Sequence, residues 1–306
     1  MSIIKNNKNY GTRVKLEDVP PVLTTLNATA NGTYTPTSPV QGYSSVTVNV
    51  QEPVEPFYIK DISGVDNTVS IYKRDVDAPT IEVFCSTDKI NWTSMGTTST
   101  TPITATVPAN SKLYLKAITN GWSNTDYKTN IINANRSHYI GGCIMSLLVG
   151  DNYENAVLTN SFEFFLLFYN NSTLINASAL ILPNNVTERC YQNLFDSCTA
   201  LTVAPALPAT STAYGCYVGM FTNCTSLMQA PILPATILDG ESYLAMFTGC
   251  SKLNLVICYA QQINSATQHW LNGVSQTGDF YNLGGATYIT DSPDGIPSGW
   301  TEHTTL

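Results

Sequence analysis

The segment from about Leu174 to Leu253 repeats itself with a period of about 26 residues, and this period constrains the fold more than any other feature. One unit reads Cys216-Tyr217-x-x-Met220-Phe221-x-x-Cys224-Thr225-x-Leu227, and a second begins with Cys190-Tyr191 and aligns with it without gaps. A third unit follows the pattern from Tyr243 and departs after Leu253. Self-similarity at a period of roughly 20 to 50 residues is typical of solenoids, in which each unit buries its apolar face against its neighbours.

The spacing inside one unit predicts a short helix. Cys216, Tyr217, Met220, Phe221 and Cys224 fall at i, i+1, i+4, i+5 and i+8, which places them on one helical face. Such a helix has about two turns, and its two cysteines lie about 12 Å apart along the axis, too far for a disulfide. We therefore expect these cysteines to be buried free thiols that pack as small apolar side chains.

The second half of each unit predicts an extended segment. Its pattern is Ala230-Pro231-x-Leu233-Pro234-Ala235-Thr236, and the preceding unit has the same residues from Ala204. Each proline removes a backbone donor and disfavours helix at the preceding residue. The expected unit is therefore helix, turn and extended segment, a leucine-rich-repeat-like solenoid.

These units resemble BspA-type leucine-rich repeats, a variant found in gut Bacteroidales and their phages. The resemblance extends upstream to residues 142–151 and downstream to residues 270–280 and 295–300, which are similar to the usual closing cap, and it covers about residues 60–302. The sequence departs from the pattern at residues 237–242, where Ser242 replaces the expected cysteine before Tyr243. Many proteins with such repeats are thought to be surface adhesins, so the resemblance implies a binding or structural module.

Residues 56–145 are interpreted as an Ig-like β-sandwich. Residues 80–85, 103–107 and 112–117 alternate apolar and polar side chains and are separated by turn-forming clusters. Trp92 and Trp122 fit two roles in such a domain, as platforms on which a sugar ring stacks or as core residues, and the core role is favoured.

Residues 1–55 form a third region. Residues 1–25 lack periodicity and are interpreted as an extended arm, and residues 31–36 and 42–50 predict a small β-hairpin module. That pattern is similar to short modules common in phage tail and other virion proteins. Residues 51–56 hold two prolines and two glutamates and resemble a linker.

Charge and hydropathy exclude several classes of partner. Only 12% of the residues are charged and the net charge is −8, which disfavours nucleic acid because phosphate binding needs clustered Lys and Arg. The apolar runs at 144–150 and 164–169 are too short to cross a bilayer. Residues 1–15 have no apolar stretch of the kind found in secretory signals, so we expect no signal peptide and no membrane insertion.

The sequence offers no catalytic, cofactor-binding or metal-binding residue. Nucleophile-elbow, Walker and zinc-protease motifs do not occur, and His138, His269 and His303 lie far apart. Asp239 and Glu241 are interpreted as turn residues, and the glycine pairs at 141–142 and 284–285 lack a phosphate-binding context. A hydrolase with scattered acids leaves no signature, so that alternative stays open.

Together these segments predict an α+β multidomain chain with four parts. They are a virion-anchoring arm and β module (1–55), the β-sandwich (56–145), BspA-like leucine-rich repeats (146–258) and a C-terminal cap (259–306). The functional hypothesis is a structural virion protein of a phage, a head fibre in preference to a tail fibre, assembled in the host cytoplasm without a signal peptide.

The expected partners follow from that hypothesis. They are other virion proteins, bound through residues 1–50, further copies of the chain (a trimer in preference to a dimer) and a host-surface glycan. The alternative functions are a non-catalytic bacterial adhesin and a polysaccharide-binding accessory module of an enzyme.

Overall fold

A computed structural model describes residues 13–16, 32–34, 46–51, 53–123, 128–263, 265–292 and 294–306. The chain divides into two compact units, Met1–Glu55 and Pro56–Leu306. The described part of the first unit is one antiparallel sheet, in which β3 (Val46–Gln51) lies between β1 (Arg13–Leu16) and β2 (Gly32–Tyr34). The predicted hairpin thus gains a strand from the segment predicted as an arm. The rest of that arm and the hairpin connection lie outside the described residues.

The second unit begins with two sheets. Their strands are β4 (Tyr58–Asp61), β5 (Asn67–Lys73), β6 (Glu82–Ser86), β7 (Thr93–Thr97), β8 (Ile103–Val107), β9 (Lys112–Ala117), β10 (Asn130–Ala134), β11 (His138–Cys143) and β12 (Leu174–Ile181). One sheet has the order β12-β11-β4-β9-β6-β7 and the other the order β10-β5-β8. All neighbours are antiparallel except β11 and β12, which run parallel. The three alternating segments of the sequence lie in β6, β8 and β9.

The strand β5 forms because every second residue in it is apolar and can be buried. In β5, Val69 and Ile71 are fully buried, whereas Thr68 and Ser70 between and beside them are more exposed. Each such buried side chain contributes roughly 1.5–3 kcal/mol. Within the described residues the only α-helix is α1 (Ser146–Val149), which a 3₁₀ helix at Gly150–Asn155 follows, and a second 3₁₀ helix lies at Ser265–Thr267.

The repeat units contain a ribbon of turns where the sequence predicted helices. We call the segments 162–171, 189–198, 215–224 and 241–250 turn ribbons. Their backbone adopts a positive φ at every fourth residue, for example Gly215 (59°), Gly219 (57°) and Asn223 (58°). An α-helix has negative φ throughout, so these segments are not helical.

The hydrogen bonds of a turn ribbon alternate between two kinds of partner. The amides of Val218 and Met220 donate to carbonyls three residues back, those of Gly215 and Tyr217. The amides that alternate with these donate to carbonyls of the next unit. Gly219 N–H donates to Leu244 O at 2.8 Å, and Phe221 N–H donates to Met246 O at 2.9 Å. Each ribbon is therefore held both by its own turns and by a ladder to its neighbour.

The prediction of an α+β fold is wrong for this reason. A period of four residues buries the same positions i, i+1, i+4, i+5 and i+8 as a helix with 3.6 residues per turn, so the apolar pattern could not distinguish them. The described part of the chain is mostly sheet and turn, and its repeat units do not take the helix, turn and extended form of the predicted leucine-rich-repeat-like solenoid.

Extended segments follow the turn ribbons and pair in parallel. Isolated bridges join Asn176 to Val203, Gln229 to Leu255 and Leu233 to Cys258. The last units continue this ladder as a regular parallel sheet, with β13 (Leu255–Cys258), β14 (Gly278–Asn282) and β15 (Trp300–His303) in that order.

Two columns of aromatic rings fill the interior of the stacked units. The first column is Phe57, Phe168, Phe195, Phe221 and Phe247, with neighbouring centroids 5.4–5.7 Å apart. The second column is Phe164, Tyr191, Tyr217, Tyr243, Trp270 and Tyr288, with neighbouring centroids 5.7–6.4 Å apart. Because the equivalent rings of successive repeat units contact each other, the columns stabilise the stack unit by unit.

The cysteines are free thiols, and three of them connect neighbouring units. Cys198, Cys224 and Cys250 donate from Sγ to the carbonyls of Phe168, Phe195 and Phe221 at 3.1, 3.2 and 2.9 Å. Burial raises the pKa of the Cys190 and Cys250 thiols to about 12, which leaves both groups protonated and unreactive at neutral pH. Cys85 alone is not fully buried.

Two substitutions distinguish a turn ribbon from a helix. Gly219→Ala should lower the free energy of unfolding by about 1–2 kcal/mol, because an L-residue is strained at a φ of 57°. Ala245→Gly, at a φ of 53°, should raise it by up to about 1 kcal/mol. A helix would reverse both signs, since alanine is the better helix former by about 1 kcal/mol. Urea unfolding of the full chain measures both.

Thiol labelling tests the burial of the cysteines. Brief treatment of the native full chain with a maleimide should modify Cys85 and leave the seven buried thiols intact, whereas all eight should react in denaturant without a reductant. Mass spectrometry counts the labels. A Cys198–Cys224 disulfide, or fast labelling of either residue in the native protein, would contradict the packing of the units.

Candidate ligand-binding cleft

The two tryptophans considered as sugar platforms lie in different environments. Trp122 is fully buried and donates from its indole nitrogen to Leu147 O at 2.8 Å, so it is a core residue. Trp92 is half-buried, and Lys116 Nζ lies 4.2 Å from its ring centroid while pairing with Asp151 at 2.8 Å. One face of the Trp92 ring is therefore covered by a cation, which argues against a free stacking platform.

The acidic turn residues do not form a carboxylate pair. Glu241 forms an ion pair with Arg189, 3.0 Å from Oε2 to Nη2, whereas Asp239 accepts from the Gly240 amide. Arg189 also lies over the ring of Tyr214, 5.1 Å from the centroid. A hydrogen bond to Glu241 is the main cause that raises the pKa of the Tyr214 phenol. This surface cluster links three successive units, because Arg189 and Glu241 are two repeat periods apart and Tyr214 lies in the unit between them.

The three histidines have different surroundings. His138 is fully buried, and burial lowers its pKa to about 4. His303 lies 2.7 Å from Asp279, and His269 lies 4.0 Å from Asp294. Among the described residues, no group of three or more His, Cys, Asp or Glu side chains has the arrangement of a metal site.

The glycine pairs serve packing. A Cβ at Gly141 would overlap the Tyr58 hydroxyl, and one at Gly284 would overlap the carbonyl oxygen of Ala260. Both positions therefore need glycine because another chain segment approaches closely.

The stacked units carry a row of hydroxyl side chains at the end of the turn ribbons. We define the hydroxyl row as Ser172, Thr199, Thr225, Ser251 and Ser275. In its first four members the backbone amide makes the same bond, to the carbonyl two residues back, so they occupy equivalent positions. Thr225 Oγ1 lies 3.4 Å from Thr199 O, which shows that adjacent members belong to adjacent units.

Residues beside the hydroxyl row are small or carry amides. The row of left-handed residues next to it consists of Asn170, Ser197, Asn223, Gly249 and Gly273. A Cβ at Gly249 would overlap Asn223 Oδ1, so a glycine is needed here to accommodate the Asn223 side chain of the previous unit. Asp196 accepts from Asn193 Nδ2 at 3.1 Å and from Ser197 Oγ at 2.8 Å, which ties its carboxylate into amide and hydroxyl groups.

A cleft of about 580 Å³, which we call the cap cleft, lies where this row reaches the C-terminal region. Its walls are residues 271–276, 291–292 and 297–299, so it contains Ser275, the last member of the hydroxyl row. The polar side chains of its lining are Asn272, Ser275, Gln276, Asp291, Ser292 and Ser298. Among the described residues of that lining there is no lysine, arginine or aromatic side chain.

The walls of the cap cleft are held by buried tryptophans and a tight backbone contact. Trp300 donates from its indole nitrogen to Ser275 O at 2.8 Å, and Trp270 donates to Gly295 O at 2.8 Å. A Cβ at Gly299 would overlap the carbonyl oxygen of Gln276, so glycine is required where the two walls meet. The lining is therefore preorganised by the core behind it.

Hydroxyl and amide groups in such a lining both donate and accept hydrogen bonds, which suits an uncharged ligand with many hydroxyl groups. These residues fall in the segment predicted as a C-terminal cap, for which the sequence predicts no site. The hydroxyl side chain at the same place in each unit, Thr199, Thr225 and Ser251, was the available signal.

No known family model, curated protein or solved structure matches this chain. No helix in the part of the chain that the structure describes is both long enough and apolar enough to cross a membrane.

Proposed function

We propose that this chain is a non-catalytic surface protein of a bacteriophage particle and that it binds an uncharged glycan of the host cell in the cap cleft. The observation that carries the proposal is the lining of that cleft, which sets amides, hydroxyls and one carboxylate beside Leu271, Val274 and Pro297, without a cation among its described residues. Such groups match the hydroxyls of a sugar, and the hydrogen bond from the Trp300 indole to Ser275 O holds one wall in place.

The repeat supports a binding role for the surface of the stack. Its cysteines, the rings of its two aromatic columns and most of its other apolar side chains are buried in contacts between units, so recognition would fall to the residues that point outward. The resemblance of the units to BspA-type repeats, carried by the Met-Phe-x-x-Cys-Thr pattern, points to the same class of surface protein.

The two compact units fit two separate roles on the particle, attachment and ligand binding. The protein would be a head fibre in preference to a tail fibre, so residues 1–50 would bind the capsid. The unit Pro56–Leu306 would carry the cleft. A trimer is the favoured assembly because phage appendages are commonly symmetric homo-oligomers. The alternative is a bacterial cell-surface adhesin, which the same repeat pattern supports and which would use the same cleft.

Location on the particle is tested by immunogold electron microscopy with antibodies raised against the full chain. Gold on the capsids of the phage that encodes the chain is the expected result, together with the chain in the mass spectrum of purified particles. Gold on the tail would overturn the head-fibre assignment. Absence from particles and presence on the bacterial envelope would establish the adhesin instead.

Binding through the cleft is tested by Ser298→Trp, which places an indole inside it. When the cleft is filled, the affinity of the fluorescently labelled full chain for host cells should fall by roughly tenfold or more. Binding weakens because the ligand loses its set of buried contacts in the cleft. Thr210→Trp, at another exposed position of the repeat, is the matched control and should bind like the wild type. Equal binding of Ser298→Trp and wild type would show that the cleft is not the site.

A further inference from the structure

The ladder of hydrogen bonds between units has an open edge at its C-terminal end. Residues 265–273, which we call the last ribbon, continue the repeat, because His269 and Gly273 keep a positive φ of 55° and 72°. The carbonyls of the last ribbon complete the bonds of the preceding unit, for example Trp270 O with the Phe247 amide at 2.9 Å. Its own amides face the C-terminal segment of the chain instead of a further ribbon.

Two backbone amides of the last ribbon are left unpaired. In four earlier ribbons, the amide equivalent to that of Leu271 donates to a carbonyl of the following unit, and so does the amide equivalent to that of Gly273. These donors are Phe168, Phe195, Phe221 and Phe247 in the first set, and Asn170, Ser197, Asn223 and Gly249 in the second. Among the described residues, the amides of Leu271 and Gly273 have no hydrogen-bond partner. Leu271 is only 4% exposed, and a buried amide without an acceptor is rare in folded proteins because it is costly.

The missing acceptors belong on the side of the cap cleft. The preceding outward amide of the last ribbon, His269 N–H, donates to Asp294 Oδ1 at 3.0 Å. The segment that contains Asp294 therefore covers the first half of the last ribbon in place of a further unit. The second half, from Leu271 onward, forms a wall of the cap cleft. Both unpaired amides thus lie where the cleft takes the place of a neighbouring ribbon.

We propose that the cap cleft binds an N-acetylated amino sugar and that the acetamido carbonyl accepts a hydrogen bond from the Leu271 amide. In every earlier unit that acceptor is the carbonyl of a peptide bond, and an acetamido group carries the same kind of carbonyl on a sugar. This inference rests on the proposed function, and it specifies which uncharged glycan the cleft takes.

The donor character of this edge favours a carbonyl over a sugar hydroxyl. A backbone N–H only donates and a carbonyl oxygen only accepts, so the two satisfy each other completely. A hydroxyl that accepts the same bond still has a proton that needs an acceptor of its own. The Leu271 amide therefore selects for a carbonyl, and backbone amides commonly fix the orientation of a ligand in a cleft.

The other parts of an acetamido group also meet matching neighbours in the lining. Val274 and Pro297 provide apolar surface for its methyl group, and Gln276 and Asp291 provide oxygen acceptors for its N–H. A carboxylate would satisfy the Leu271 amide too, but Asp291 repels it and the described lining has no cation to balance it. The lining thus fits a neutral amide better than an acidic group.

NMR titration of the full chain tests the inference without a change to the protein. The probes are the methyl glycosides of N-acetylglucosamine, N-acetylgalactosamine and N-acetylmannosamine. Each is compared with the methyl glycoside of its parent sugar, which has a hydroxyl in place of the acetamido group. At least one acetamido sugar should bind about tenfold more tightly than its parent, because it adds one hydrogen bond and one buried methyl group.

Amide resonances identify the group that is bonded. Binding should move the Leu271 N–H resonance downfield, because its proton enters a hydrogen bond. The Phe247 N–H resonance should stay in place, because that amide is already bonded to Trp270 O at 2.9 Å. Ser298→Trp should abolish the shift at Leu271, and Thr210→Trp, the matched control, should keep it. The amide spectra of both variants check that each is folded.

Three results would overturn the inference: equal affinity for each acetamido sugar and its parent, a Leu271 resonance that stays in place at saturation, or no binding of any acetamido sugar. A blocked dipeptide, N-acetyl-alanyl-alanine N-methylamide, that moves the Leu271 resonance where no sugar does would assign the edge to a peptide segment and overturn it as well. The proposed function fails by a different result, equal host-cell binding of Ser298→Trp and wild type, so the two failures are distinguishable.

Discussion

Alternate amides of each turn ribbon donate to the carbonyls of the following unit, and the direction of every repeat side chain depends on this ladder. Gly219 and Phe221 make such bonds, whereas Val218 and Met220 bond within their own unit. The alternation requires a left-handed residue at every fourth position, which costs an L-residue about 1–2 kcal/mol and glycine little. The two aromatic columns offset that cost, since a buried Phe or Trp is worth about 3–5 kcal/mol against alanine.

The same constraint explains which parts of the fold could be predicted from the sequence. The repeat period, the buried positions and the free thiols follow from spacing and size, and the alternating segments of β6, β8 and β9 follow from period two. The helix prediction failed because periods of 3.6 and 4 bury the same five positions of a repeat unit. Gly215, Gly219, Asn223 and Gly249 carried the missing information, since glycine and asparagine at a spacing of four mark left-handed backbone.

The candidate site was less accessible to sequence reasoning. The walls of the cap cleft come from three separate segments, 271–276, 291–292 and 297–299, and only the fold brings them together. Ladder and site are nevertheless connected, because the ladder places Ser172, Thr199, Thr225 and Ser251 at equivalent positions of successive units, and Ser275, which follows them in the row, lines the cleft. The features that stabilise the stack thus also determine the spacing of the groups on its surface.

The positive φ angles at every fourth residue of the turn ribbons are what most of the structure depends on, and NMR measures the sign of φ directly. Three-bond HN–Hα couplings and carbon chemical shifts of Asn193, Asn223 and Ala245 in the full chain should report a positive φ at all three residues, near 55°, 58° and 53°. Amides that donate across units, such as those of Gly219 and Phe221, should at the same time be protected from hydrogen exchange. A negative φ at all three residues, with the shifts and couplings of an α-helix, would contradict the account.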